Sequence, residues 1–148
     1  INPTTNEIWV NEHGPKGGDE INIIKLGRNY GWPIVTFGEE YWGGKVGQGI
    51  TTLKGFEDPI WYWVPSIAPS GMTFYDKNMF PEFKGNLLVS SLKFKSIYLV
   101  ELKDGMPTKE KVLFKNRFGR IRDIEQLKDG SILVISDEKK GGIYKIYR

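Results

Sequence analysis

The stretch EHGPKGGDEINIIKLGRNYGWP, residues 12–33, gathers residue types that suit a hard cation. Gly14 opens backbone angles closed to other residues, and Pro15 has a fixed φ and no N–H, so successive carbonyls can turn outward without a donor beside them. Ca²⁺ takes such oxygens together with carboxylates. Asp19, Glu20 and the carbonyls around Asn29 and Tyr30 make a second oxygen-rich group. A turn with solvated acids accounts for the same residues, because the ordered D-x-[DN]-x-[DN]-G calcium loop is missing. His13, the chain's one histidine, stands next to the turn, where a hydrogen-bonding role is commoner than that of a general base.

A second group is cationic. In RIRDIEQLKDGSILVIS, residues 120–136, an extended backbone projects Arg120 and Arg122 to one side and Ile121 to the other. Two neighbouring guanidiniums repel unless an anion lies between them, and arginine forks suit carboxylate or phosphate. Surface ion pairs with Asp123 and Glu125 are the plainer alternative. Lys93, after GNLLVSSL, adds a third cation. Three cations and a divalent metal point to a small polyanionic ligand. Trp32, Tyr41, Trp42, Trp61, Tyr62 and Trp63 offer flat walls for a planar cofactor or sugar rings, although core or loop packing uses aromatics in the same way.

The elements that must position these groups repeat. NEIWVNE, GNLLVSS and GSILVIS are each followed by a polar connection and a second alternating strand: DEINIIKLG, SIYLVELKDG and IYKIYR. Leu87–Val89 and Ile132–Val134 stand 45 residues apart, and the longer gap from Ile8–Val10 falls in a Trp-, Tyr- and Gly-rich insertion around 34–66. A period of about 40–45 residues with several strands per unit is the signature of propeller blades. Three copies are too few to close a ring, so the chain reads as part of a propeller, against the alternative of a plain β-sandwich. Connections leaving equivalent strands emerge on one face of such a ring. EHGPKGG, SSLK and SDEKK are therefore expected at one mouth of the channel, where a ligand would bind.

Composition narrows the classes further. The 148 residues suit a single domain, and 18 glycines with 14% aromatics fit a turn-rich β protein. The net charge of +3 is mild, and its basic residues are spread along the chain, which argues against nucleic acid. With no cysteine, disulfides and thiolate metal sites are excluded. No apolar run reaches membrane-spanning length. The chain opens on Ile-Asn-Pro and reads as entered in mid-protein, with any export signal expected upstream.

EHGPKGGDEINIIKLGRNYGWP, WVPSIAPSGMTFY, GNLLVSSLKFKSIYLVEL and RIRDIEQLKDGSILVISDE together resemble the pyrroloquinoline-quinone (PQQ)-dependent soluble aldose sugar dehydrogenases of the glucose/sorbosone dehydrogenase family. The motifs occur in the family's order through nearly the whole chain. The resemblance implies an all-β, six-bladed β-propeller, of which residues 1–148 supply roughly the C-terminal three blades. It implies a cofactor Ca²⁺ on the carbonyls of Gly14 and Pro15, and a structural Ca²⁺ at Glu20 and Tyr30. Tyr41 would shape the PQQ pocket, and Ser66 would bring a hydroxyl near the quinone. The steps Ser91-Leu92-Lys93 and Arg120-Ile121-Arg122 would bind carboxylates and quinone oxygens. The implied reaction is oxidation of an aldose at C1 to the lactone, with electrons passed to an external acceptor, in a periplasmic or secreted protein. The family's histidine base belongs to the front half, and His13 does not match it. The chain is thus expected to be active only with the N-terminal half of the propeller. A non-catalytic propeller module and a Ca²⁺-dependent lactonase-like hydrolase are the alternatives.

Overall fold

The computed structural model describes residues 1–148, which form two compact units, Ile1–Ile67 and Ala68–Arg148. All regular structure is β apart from one 3-10 turn at Pro81–Phe83.

The first unit carries β1 (Trp9–Glu12), β2 (Asp19–Ile23) and β3 (Trp61–Trp63) in the order β1-β2-β3. Both pairings are antiparallel, with Trp9 opposite Ile23 and Asp19 opposite Trp63. Trp9, Ile21 and Trp63 supply its buried apolar side chains, joined by Val35, Val46 and Ile67. Residues 34–60 hold no named strand; two isolated bridges, Val35 to Ile50 and Glu39 to Lys45, give this insertion its only sheet-like contacts. Its far end differs from the expected run of loop, because Trp61–Trp63 pairs with β2 as a third strand.

The second unit holds a four-stranded antiparallel meander, β4 (Pro69–Tyr75), β5 (Asn86–Ser91), β6 (Ser96–Lys103) and β7 (Met106–Leu113). A three-stranded meander follows, β8 (Ile121–Gln126), β9 (Ile132–Ser136) and β10 (Ile143–Ile146). The three repeated strand pairs of the sequence are the hairpins β1–β2, β5–β6 and β9–β10. The chain is therefore all-β and built from blade-like sheets of the β-propeller class.

Leu87, Leu88 and Val89 are all buried on β5, as are Ile97 to Val100 on β6. A continuous apolar run of this kind marks strands covered on both faces. Tyr75, Phe80, Phe83, Leu88, Ile97, Leu99, Ile121, Ile124, Ile132 and Val134 form the common core of the two sheets. Close approach of β4 to β8 depends on Gly71, where a side chain would strike the Asp123 carboxylate and come within 2.8 Å of the Ile124 nitrogen. Ser70 fastens the same contact by donating to the Ile121 carbonyl at 2.7 Å.

The outer edges differ. Strand β7 is charged at its middle, with Lys109 and Lys111 bracketing Glu101 of β6, a guard typical of edge strands, and exposes Met106 and Val112 near its ends. Strand β10 leaves Ile143 and Tyr144 exposed, with Tyr147 just beyond it.

Candidate functional site

Asp19 organises the Gly-Pro connection between β1 and β2. Fully buried, it accepts the Gly14 N–H at 2.9 Å through Oδ1. Its Oδ2 accepts the Ser66 hydroxyl at 2.8 Å and the Ile67 N–H at 2.7 Å. The Ser66 hydroxyl, expected near a quinone, is thus engaged in holding this loop. Only glycine fits at position 14, because a Cβ there would collide with the carbonyl oxygens of Gly17 and Gly18. The Pro15 carbonyl accepts N–H groups from Gly17 at 2.6 Å and Glu39 at 3.0 Å. A cation at that oxygen has to compete with two donors.

Beside this loop lies a cavity of about 180 Å³, lined by Glu12, Gly14, Glu20, Asn29, Tyr30 and neighbours. Glu20 is 7% exposed. Burial, opposed by a hydrogen bond from Asn22 and reinforced by Glu12, Asp19 and Asp58, pushes its carboxyl up to about 7. Asn22, 1% exposed, donates through Nδ2 to Glu12 at 2.7 Å and to Glu20 at 3.3 Å. Its Oδ1 has no hydrogen-bond partner, and an orphaned buried oxygen carries a desolvation cost. A carboxylate held partly protonated beside an unsatisfied amide oxygen is the electrostatic profile of a place a cation would stabilise. No three His, Cys, Asp or Glu side chains gather at metal-binding spacing. A cation here would therefore draw on carbonyl oxygens as well, which fits Ca²⁺ better than a transition metal. The Tyr30 hydroxyl donates to the Ile23 carbonyl at 2.8 Å and accepts the Lys25 N–H at 2.7 Å, so its side chain serves the loop. Tyr41 and Trp42 stand 75% and 83% exposed at the tip of the turn closed by the Glu39–Lys45 bridge.

In the second unit the structure brings two of the expected segments together. Arg120 and Arg122 donate to the same oxygen, Asp137 Oδ2, at 3.3 and 2.7 Å. They do so although the β8–β9 register shifts between Ile121 and Asp123, at Arg122. Their partner is neither Asp123 nor Glu125 but an acid across the hairpin, and hydrogen bonding to the two arginines, Arg122 foremost, holds the Asp137 carboxyl below the usual range. The neighbouring Glu138 accepts the Arg120 backbone N–H at 2.9 Å. It also pairs with Lys95 at 4.0 Å, which ties the β5–β6 turn to the β9–β10 turn. In that β5–β6 turn Ser91 is buried and accepts the Phe94 N–H at 3.0 Å. Leu92 is buried, as is Ile121 on β8, so these three side chains shape the backbone. Lys93 is exposed and lies 5.3 Å from the centre of the Phe94 ring. The sequence pointed neither to Asp137 as the partner of the arginines nor to Asp19, placed with Glu20 in an oxygen-rich group, as the organiser of the Gly-Pro connection. The hint available was an acid directly after the connection in the first copy, Asp19, and directly after the strand in the third, Asp137, with none in the middle copy.

A profile of the family described as Glucose / Sorbosone dehydrogenase matches residues 1–145. The aldose sugar dehydrogenase YliI of Escherichia coli (strain K12) is 40% identical over 147 residues, covering 99% of this chain and 40% of that protein. Quinoprotein glucose dehydrogenase B of Acinetobacter calcoaceticus is 26% identical over 198 residues, covering 94% of this chain and 40% of its own length. A crystal structure of a glucose dehydrogenase superposes with a TM-score of 0.93 at 36% identity, over 100% of this chain and 43% of the other. The chain thus spans well under half the length of these relatives. The match over nearly every residue, on a fold of the same class, places the chain in the glucose/sorbosone dehydrogenase family.

Proposed function

We propose that this chain is the cofactor- and metal-binding part of a PQQ- and Ca²⁺-dependent aldose sugar dehydrogenase. The observation that carries the reading is the arginine pair. Arg120 and Arg122 already converge on one carboxylate oxygen, which is the task a polycarboxylate cofactor would set them. The name quinoprotein attached to a relative supports the choice of cofactor.

In this reading Glu20, with Tyr30, would hold a structural Ca²⁺, and the carbonyls of Gly14 and Pro15 would hold the cofactor's Ca²⁺. Lys93, Arg120 and Arg122 bind carboxylates and quinone oxygens, the backbone of Ser91, Leu92 and Ile121 sets their spacing, and Tyr41 flanks the ring system. PQQ supplies the two-electron acceptor and Ca²⁺ the Lewis acid. Oxidation of an aldose hemiacetal at C1 removes a hydride from carbon and a proton from the hydroxyl, leaving the lactone. The hydride would need PQQ as its acceptor, the proton a histidine base expected in the N-terminal half of the propeller, and the electrons an external acceptor. The residues of this chain act by preorganised charge: fixed guanidinium and ammonium donors lower the energy of negative charge developing on a bound oxyanion. A periplasmic or secreted location belongs to the same reading, and no helix is long and apolar enough to cross a membrane.

The test is reconstitution. The chain combined with the upstream half, PQQ and Ca²⁺ should reduce a redox dye with aldoses, and the chain alone should not. Failure with every aldose tried would favour a non-catalytic propeller module, whereas hydrolysis of lactones without dye reduction would favour the hydrolase.

A further inference from the structure

We propose that Asp137 is a specificity residue: it cancels one of two guanidinium charges, so the Arg120–Arg122 seat accepts a singly charged carboxylate and disfavours a phosphate dianion. The inference rests on the reading that this pair receives a carboxylate of the cofactor.

The first support is geometric. Asp137 does not swing freely over the surface. Its backbone N–H donates to the Arg120 carbonyl at 2.7 Å, while the Arg120 N–H donates to Glu138 at 2.9 Å. Glu138 lies so close over Gly119 that a Cβ there would be 2.6 Å from its Oε1. The acidic turn after β9 and the basic start of β8 are thereby clamped in register, which holds the Asp137 carboxylate within reach of both guanidiniums. The second support is donor supply. Each guanidinium has five N–H donors, and Asp137 Oδ2 engages one nitrogen of each. The arginine side chains are 44% and 54% exposed, so donors remain for a ligand to use without expelling Asp137.

The third support is charge. Two arginines alone would present two positive charges, which a phosphate dianion matches best. With Asp137 between them, the pair itself keeps one net positive charge, which a carboxylate matches, and exposed Lys93 adds the same charge whether or not Asp137 is present. A dianion would keep one charge uncompensated a few ångströms from Asp137. Lys95 does not restore the balance, because it is paired with Glu138. Removing one negative charge at about 5 Å, in the high effective dielectric of a half-exposed site, should shift the phosphate-to-carboxylate preference by about tenfold. Arginine forks suit either anion, so the resident acid, rather than the arginines, decides between them.

The experiment uses the full chain and its Asp137→Asn and Glu138→Gln variants at pH 8, where phosphate carries about two charges. Inorganic phosphate and acetate are titrated separately while the Arg120 and Arg122 Nε–H resonances are followed by NMR, and PQQ with Ca²⁺ is titrated by fluorescence quenching. Asp137→Asn should raise the affinity ratio of phosphate to acetate by about tenfold. Glu138→Gln, which removes the same charge from the acid paired with Lys95, should raise it much less. An unchanged ratio, an equal shift in both variants, loss of both anions together, or no anion binding by either resonance would each overturn the inference. Absence of PQQ binding alongside the expected change in ratio would defeat the cofactor reading and leave the specificity role standing.

Discussion

Glu20 has a carboxyl pushed up to about 7 by burial and neighbouring acids, and this couples folding to pH. A raised acid binds its proton more tightly in the folded state than in the unfolded one. Its folded form is therefore favoured most below about pH 4.5 and loses that advantage as pH rises through 7. For the metal-free chain, stability should fall across this window by an amount on the order of 3 kcal/mol, since each tenfold gain in proton affinity is worth about 1.4 kcal/mol. Urea midpoints of the wild type and Glu20→Gln between pH 5 and 8.5 would show it, with the slope largely gone in the variant. Added Ca²⁺ should flatten the wild-type slope and leave Glu20→Gln unaffected. The same residue shows what the sequence could reveal: an oxygen-rich group around Glu20 and Tyr30 was legible from residue types alone. The Asn22 amide oxygen without a partner was not, since its burial beside Glu12 and Glu20 depends on the pairing of β2 with β1 and β3. Nor was the reach of Asp19, whose partners Ser66 and Ile67 lie 47 and 48 residues away.

At the scale of strands, the repeat made three hairpins readable from the chain alone, because a β-rich run, a polar connection and a second alternating run recur in the same order. Strands β3, β4 and β7 were less visible. Trp61–Trp63 is hidden in an aromatic stretch, Pro69–Tyr75 opens on proline, and Met106–Leu113 carries the charges of an outer edge. Arg120 and Arg122 were expected to project together, and they do share an acceptor. The acceptor itself comes from the next turn because the β8–β9 hairpin folds residue 137 back onto residue 120. The contact between β4 and β8 offers a direct test. Gly71→Ala should cost about 2–4 kcal/mol, as an overpacked and strained site does. Gly85→Ala, at φ +80 with open space around it, should cost only about 1 kcal/mol, from backbone strain alone. Equal unfolding midpoints for the two variants would show that the sheets do not depend on close approach at Gly71.

Taken as a whole, the molecule divides its labour between a unit rich in buried acids and one that presents cations. Arg122 is half-exposed and its ion pair lies at the surface, where such pairs are worth about 0–1 kcal/mol. Lys93 is exposed as well. Lys93→Ala and Arg122→Ala should therefore leave the unfolding midpoint of the apo-protein within about 1 kcal/mol of wild type while weakening PQQ binding by about tenfold or more. Parallel denaturation and cofactor titrations check this, and wild-type affinity in both variants would show that these cations are misassigned. The propeller class and the family were legible from motif order, but the seat of Asp137 between the arginines was not.

The contrast between the two outer edges governs how the isolated chain behaves in a tube. Lys109 and Lys111 around Glu101 guard the middle of β7, where only Met106 and Val112 near its ends are exposed and apolar, while Ile143 and Tyr147, both 70% exposed, invite a second copy to β10. Concentrated samples should self-associate through that apolar border, and light scattering should fall when Ile143→Lys installs there the kind of barrier that the opposite edge already possesses.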